Sequence, residues 1–231
     1  MTRHAGRKAV IRRNGPPWRR IIRKMRIALE SLSGLPSVSE VARQDNDPFR
    51  VLVATMISLR TKDAVTGMAS ERLLASAPTP LALSVLPRKR IEKLIYPAGF
   101  YRTKAKSLRL AAGMLVKEHG GKVPRTMEEL LALPGVGRKT ANLVLNLGYG
   151  LPGICVDTHV HRISNRIGWV TTRDPAGTER ALMEILPRRY WIGINELLVR
   201  FGQTICTPLS PRCSVCPIAS LCARVDVSRS R

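Results

Sequence analysis

Four cysteines crowd into seventeen residues near the end of the chain, spaced Cys206-x6-Cys213-x2-Cys216-x5-Cys222. Thiolates are soft ligands, and four so close can wrap a tetrahedral zinc or a cubane of iron and sulfide. Zinc ribbons and fingers usually join two Cys-x2-Cys or Cys/His pairs through a longer spacer. Only one such pair occurs here, which favours a cluster. The N-terminus lacks the apolar core of an export signal, so clustered thiols point to metal ligation rather than to a disulfide framework. Cys155 stands apart in an apolar run and is expected to be a packed free thiol.

A second concentration of chemistry is Leu133-Pro134-Gly135-Val136-Gly137-Arg138-Lys139-Thr140. Gly135 and Gly137 allow a sharp turn that presents backbone N–H groups, Val136 included, at the start of the next helix. That end carries partial positive charge, so a phosphate docks there without any reading of sequence. Arg138 would add a phosphate contact. Two roles suit Lys139 in the first helical turn: a plain phosphate contact, or a nucleophilic amine whose neutral form is favoured by the helix dipole and the neighbouring arginines. Asp157 follows eighteen residues later in Val156-Asp157-Thr158-His159-Val160-His161-Arg162. It caps the apolar helix through Ile163 and Ile167, or serves as a carboxylate that stabilises positive charge or assists proton transfer.

The elements that must position these groups read as helices throughout. Apolar residues at helical spacing run from Trp18 to Leu32, with Arg and Lys on the other face. Asp47-Pro48 opens an apolar helix over Phe49 to Ile57. Thr61 is expected to cap the next helix, which runs to about Ala75. Pro87 opens a short helix, and another spans roughly Arg102 to His119 and stops at Gly120-Gly121. Thr126 and Glu129 form a capping box, and further helices follow Asp174-Pro175 and Pro187. Sustained period-2 alternation is missing, so the expected class is all-α.

The chain of 231 residues is 44% apolar, enough for a real core, and excludes collagen-like or wholly disordered classes. Its 39 Lys and Arg outweigh 16 Asp and Glu, a formal charge of +23 that draws in polyanions. Ten of those cations, and no acid, fall between Met1 and Leu29. Met1 to Pro17 therefore reads as a mobile basic arm; it is poor in Ser for an organellar transit peptide. No apolar run approaches the ~20 residues that span a bilayer. Nucleic acid is the leading partner and membrane is not expected. The chain is placed in the cytoplasm with the nucleoid, an organellar address being the lesser reading.

These motifs, LPGVGRKTAN at 133–142, VDTHVHR at 156–162 and the cysteine run, resemble in this order the endonuclease III family of DNA glycosylases, in the helix-hairpin-helix superfamily. The similarity covers roughly Trp18 to Cys222. It implies a two-domain all-α fold: a six-helix barrel domain over 41–151 with the hairpin at 133–139, and an iron–sulfur domain from 18–40 and 152–231, with double-stranded damaged DNA bound in the cleft between them. It also implies a [4Fe-4S] cluster on Cys206, Cys213, Cys216 and Cys222, Lys139 as nucleophile, Asp157 as essential carboxylate, and a monomer. The activity implied is removal of oxidised pyrimidines followed by β-elimination through a lysine Schiff base. Arg212, in the basic loop Thr207 to Arg212, would meet phosphates.

Two positions depart from the family pattern. Arg60 stands where many relatives carry the Gln that fills the gap left by a flipped base, and Phe100 stands in place of a Leu wedge between bases. Arg offers a fork of donors, and Phe can stack as well as push; core packing is the other account of Phe100. Rival readings are a mismatch glycosylase acting on adenine or on thymine and uracil, and a non-enzymatic DNA-binding cluster protein. Relatives of the first kind usually lack a lysine at position 139. The second needs neither Lys139 nor Asp157.

Overall fold

The computed structural model describes residues 16–31 and 34–231, and every regular element among them is helical. Most of the arm expected at 1–17, together with Leu32, lies outside the described residues. The chain divides into two compact units, one formed by Leu35–Cys155 and the other by the chain up to Gly34 with Val156–Arg231. The boundaries expected at 40/41 and 151/152 therefore move. The first moves because helix α2 (Ser37–Asp45) packs on α3 (Pro48–Ser58) and α4 (Asp63–Ser76). The second moves because Ile154 and Cys155 are buried, and the Cys155 thiol donates to the Lys139 carbonyl across 3.7 Å.

In the Leu35–Cys155 unit, α3 is the central element. It is apolar all round, and from Phe49 to Ile57 every residue but Arg50 is buried. Asp47 starts it as expected: its Oδ1 accepts the Phe49 N–H at 2.8 Å, and Pro48 occupies the first helical position, where no donor is needed. Around α3 lie α2, α4 and α7 (Tyr101–His119). Short helices α5 (Pro80–Val85) and α6 (Arg88–Ile95) pack on α7. α7 stops at Gly120, whose φ of +58° closes the helix while the Gly121 N–H reaches back to Leu115 O at 2.8 Å. Thr126 begins α8 (Met127–Ala132), accepting the Glu129 N–H and donating to the Glu129 carboxylate. α9 (Arg138–Leu143) runs on into a π turn, Val144–Gly148.

Two local expectations are corrected. Thr61 caps nothing: α4 begins at Asp63 without a side-chain cap, and Thr61 faces the start of α7 instead. The α2 helix, not anticipated, is capped from outside its own sequence, since the Ser37 N–H donates to the Asp63 carboxylate and the Ser37 hydroxyl to the Asp63 carbonyl.

The second unit joins α1 (Trp18–Glu30) to α10 (Thr158–Ile167), α11 (Pro175–Ile185) and α12 (Trp191–Thr204). α1 buries Trp18, Ile21, Ile22, Met25 and Leu29 and packs on α12, while Trp18 meets Trp169 with ring centroids 4.7 Å apart. Burial of each such side chain contributes about 1.5–3 kcal/mol, which holds a 13-residue helix that would be marginal alone. Beyond α12 the chain turns through two short 3₁₀ segments, the first opened by Cys213 and followed by Cys216, the second followed by Cys222.

Candidate functional site

The glycine turn joins α8 to α9. Gly135 has φ +82°, and a Cβ there would lie 2.8 Å from Ser107 Cβ and 3.3 Å from Met56 Cε, so only glycine lets the turn sit against α7 and α3. Gly137 is the N-cap of α9, and no side chain caps that helix. Arg138 is exposed and Lys139 half-buried in its first turn. Val136 corrects the expectation: its side chain is buried in the core, and its N–H donates to Leu133 O at 3.1 Å, so neither faces a ligand. It anchors the turn from within. Cys155 is the packed thiol expected of it.

Asp157 is half-buried and does cap α10. One carboxylate oxygen, Oδ1, accepts the N–H groups of His159 and Val160, each at 2.9 Å. Capping thereby fixes the rotamer of a carboxylate that stands at the start of its helix. One turn on, Arg162 donates to the carbonyls of Gly202 and Cys206, and Arg166 donates to those of Thr207 and Pro208. Burial pulls the Arg162 guanidinium below its ordinary value, against the opposing pull of Cys206 and Asp157. Both arginines point from α10 into the cysteine loop.

Arg60 and Phe100 share an unusual property. Both are exposed, both adopt left-handed backbone (φ +53° and +56°), and the Arg60 guanidinium lies 5.5 Å from the Phe100 ring centroid. Phe100 is 62% exposed, which removes the core-packing account. Left-handed backbone costs a bulky residue about 1–3 kcal/mol and persists only where surroundings impose it. Here the surroundings are Lys104. Its buried ammonium donates to Ile57 O at 2.6 Å, Leu59 O at 2.5 Å and Thr61 Oγ1 at 2.7 Å, and Thr61 Oγ1 also accepts the Gly99 N–H. Burial draws the amine down to about 8, still charged at neutral pH. The motif reading missed Lys104, although a signal existed: it lies one turn before Leu108 on the same stripe as Ala111, Ala112 and Leu115.

All four cysteines of the C-terminal run, with Arg166 and Ile218, line one cavity in the second unit. Arg166 Nη1 donates to Cys206 Sγ at 3.4 Å, and the Arg224 N–H donates to Cys222 Sγ at 3.4 Å. Burial pushes the Cys222 thiol up to about 11 and raises Cys216 as well, so thiolates in this dry pocket require bound cationic charge. Among the described residues no three His, Cys, Asp or Glu side chains converge on a single ion. Arg212 is exposed at the edge of the same cavity, its N–H donating to Ile205 O.

Comparison with known proteins agrees with this geometry. Residues 53–188 match the family of HhH-GPD superfamily base excision DNA repair proteins, and residues 206–222 match the iron-sulfur binding domain of endonuclease III. The chain is similar to endonuclease III of Thermotoga maritima, 48% identical over 78% of this chain and 84% of that one. It is also similar to endonuclease III homolog 2, chloroplastic, of Arabidopsis thaliana, 49% identical over 75% of this chain. It spans about half the length of that plant relative (47%). A solved structure of endonuclease III trapped as a covalent intermediate with DNA superposes with a TM-score of 0.77 at 32% identity, covering 89% of this chain and 93% of that one.

Proposed function

The chain belongs to the endonuclease III family of base-excision DNA-repair proteins, and on that premise we propose that it is a bifunctional DNA glycosylase and abasic-site lyase acting as a monomer on oxidised pyrimidines in duplex DNA. The observation that carries the reading is a lysine in the first turn of a helix that no side chain caps, directly after a turn only glycine can make. A DNA phosphate would dock at this helix end, drawn by the helix dipole and by Arg138.

With the damaged base out of the stack, the Lys139 amine attacks the sugar at C1′. The C1′–N bond to the base breaks as the C1′–Nζ bond forms. Loss of the ring oxygen from C1′ leaves an iminium, and removal of a C2′ proton then expels the 3′ phosphate and nicks the strand. Asp157, oriented by its cap, stabilises positive charge as it develops on the sugar and accepts protons during transfer. Arg60 would fill the space vacated by the extruded base and Phe100, 5.5 Å from its guanidinium, would wedge between the neighbouring bases, so that the two together set a preference for the opposing base.

The protein carries a [4Fe-4S] cluster, which Cys206, Cys213, Cys216 and Cys222 would hold. Bound there, it would tie the four thiolates together and close the C-terminal segment, holding Arg212 and the loop Thr207 to Arg212 in a fixed shape for DNA phosphates. Among the described residues no helix is long and apolar enough to cross a membrane, and the +23 charge supports a place beside the nucleoid.

Borohydride trapping with duplexes carrying thymine glycol, uracil, an abasic site or a mismatch tests the reading. Covalent capture on thymine glycol and abasic DNA that disappears in Lys139→Ala is the expected result; equal trapping by Lys139→Ala refutes it. Anaerobic purification should give a brown protein with iron and sulfide in equal amounts, whereas a colourless protein with one zinc overturns the cluster.

A further inference from the structure

A concave surface of about 680 Å³ lies in the second unit, between the solvent face of α1 and the 3₁₀ turn before α12. Arg19, Arg20, Arg23 and Lys24 line it from α1 and Arg189 from the turn, and no acidic side chain is among its lining residues. Its floor is apolar, with Pro17, Pro187 and Ile27, the last 52% exposed.

A solvated helix face would not be built this way. Arg19 lies four residues before Arg23, and Arg20 three and four before Arg23 and Lys24, so like charges face one another, and they cluster toward the end where the helix dipole is already positive. α1 has no acid in its first turn to offset them. The fifth cation comes from a different element, so the concavity is made by two segments converging rather than by one helix's composition. The Arg189 guanidinium carbon lies 5.0 Å from the Tyr190 ring centroid, a cation–π contact. Such local conflict kept without internal compensation marks a surface completed by a partner.

We infer that this groove, built from residues outside the hairpin, is a second nucleic-acid site, which holds the sugar–phosphate backbone of undamaged DNA. A row of cations takes the phosphates and the apolar floor takes the sugar faces between them. An isolated small anion would use the rim and leave the floor unoccupied. Because it grips backbone only, the site is indifferent to sequence and to damage, and it keeps the protein on DNA between lesions.

The test is binding of undamaged duplex to the full chain, measured by fluorescence anisotropy across ionic strength. In the triple variant Arg19→Gln, Arg23→Gln, Arg189→Gln the slope of log affinity against log salt should fall by about 2 to 3, near 0.9 per phosphate contact, and affinity at 0.1 M salt should fall roughly tenfold or more. A charge-matched control, Lys93→Gln, Lys117→Gln, Lys122→Gln, removes the same net charge from exposed sites of the other unit and should change the slope by less than about 1. In the unaltered protein, undamaged duplex should protect Lys24 from acetylation. Equal slopes for the two triple variants, or an unprotected Lys24, overturn the inference. So does a groove variant that loses binding to anionic vesicles while keeping its DNA slope. Borohydride trapping on abasic duplex at saturating enzyme reports Lys139 separately, so failure of the groove and failure of the lyase reading are distinguishable.

Discussion

Replacing Lys104 by Met keeps the length of the stem and removes three N–H donors. Thr61 Oγ1 retains the Gly99 N–H, but the carbonyls of Ile57 and Leu59 lose the ammonium that lies 2.5–2.6 Å away. A buried acceptor left without a donor costs about 1–3 kcal/mol; Ile57 O is left so and Leu59 O keeps only the Thr61 hydroxyl at 3.4 Å, so together they cost roughly 2–5. Relief from burying a charge returns part of that, and the net loss is about 3 kcal/mol. For a chain of this size it corresponds to a fall in Tm of roughly 6–12 °C. Thermal unfolding followed by circular dichroism measures it, with Lys106→Met, exposed two residues away, as a control expected within about 0.5 kcal/mol of the parent. Native-state hydrogen exchange should localise the loss to residues 57–61 and 98–104. A Lys104→Met protein that melts within about 2 °C of the parent would refute the reasoning, since the turn bearing Arg60 and Phe100 would then hold without its buried donor.

The same lysine predicts a pH dependence. Its amine titrates near 8 in the fold, and the unfolded chain keeps that proton to the ordinary value of 10.5; the unfolded state binds more protons between those values, and stability from this group rises with pH there. The gap between parent and Lys104→Met, measured by urea unfolding, should widen from pH 8 to 10; a narrowing gap refutes it. Gly202→Ala places a methyl 2.4 Å from His159 Nδ1 and 2.8 Å from Arg162 Nη2, which outweighs the ~1 kcal/mol gain in helix propensity. It should lose about 2 kcal/mol or more in thermal unfolding and purify with less iron, because Arg162 also holds the Cys206 carbonyl. Asp157→Asn preserves the α10 cap and should unfold within about 0.5 kcal/mol of the parent yet fail to trap DNA, whereas Asp157→Ala should lose about 1 kcal/mol as well. Trapping by Asp157→Asn at the parent rate would reduce Asp157 to a cap.

What the sequence determined by itself is what acts over three or four residues. Asp47, Asp157, Asp174 and Thr126 were legible as helix starts because each cap closes on an N–H two or three positions ahead. The cysteine spacing, the glycine turn and the placement of Lys139 after it are local in the same sense. Tertiary structure alone decided the rest. Asp63 caps α2 from 26 residues away, and Lys104 meets Ile57 across 47, so no window of sequence contains both partners. Val136 looked like part of a presented loop and turned inward, because a tight turn must spend one residue anchoring itself to the core. Thr61, a good cap by type, went to the Gly99 N–H and the Lys104 ammonium, since a buried charge outcompetes a solvent-exposed helix end for a hydroxyl.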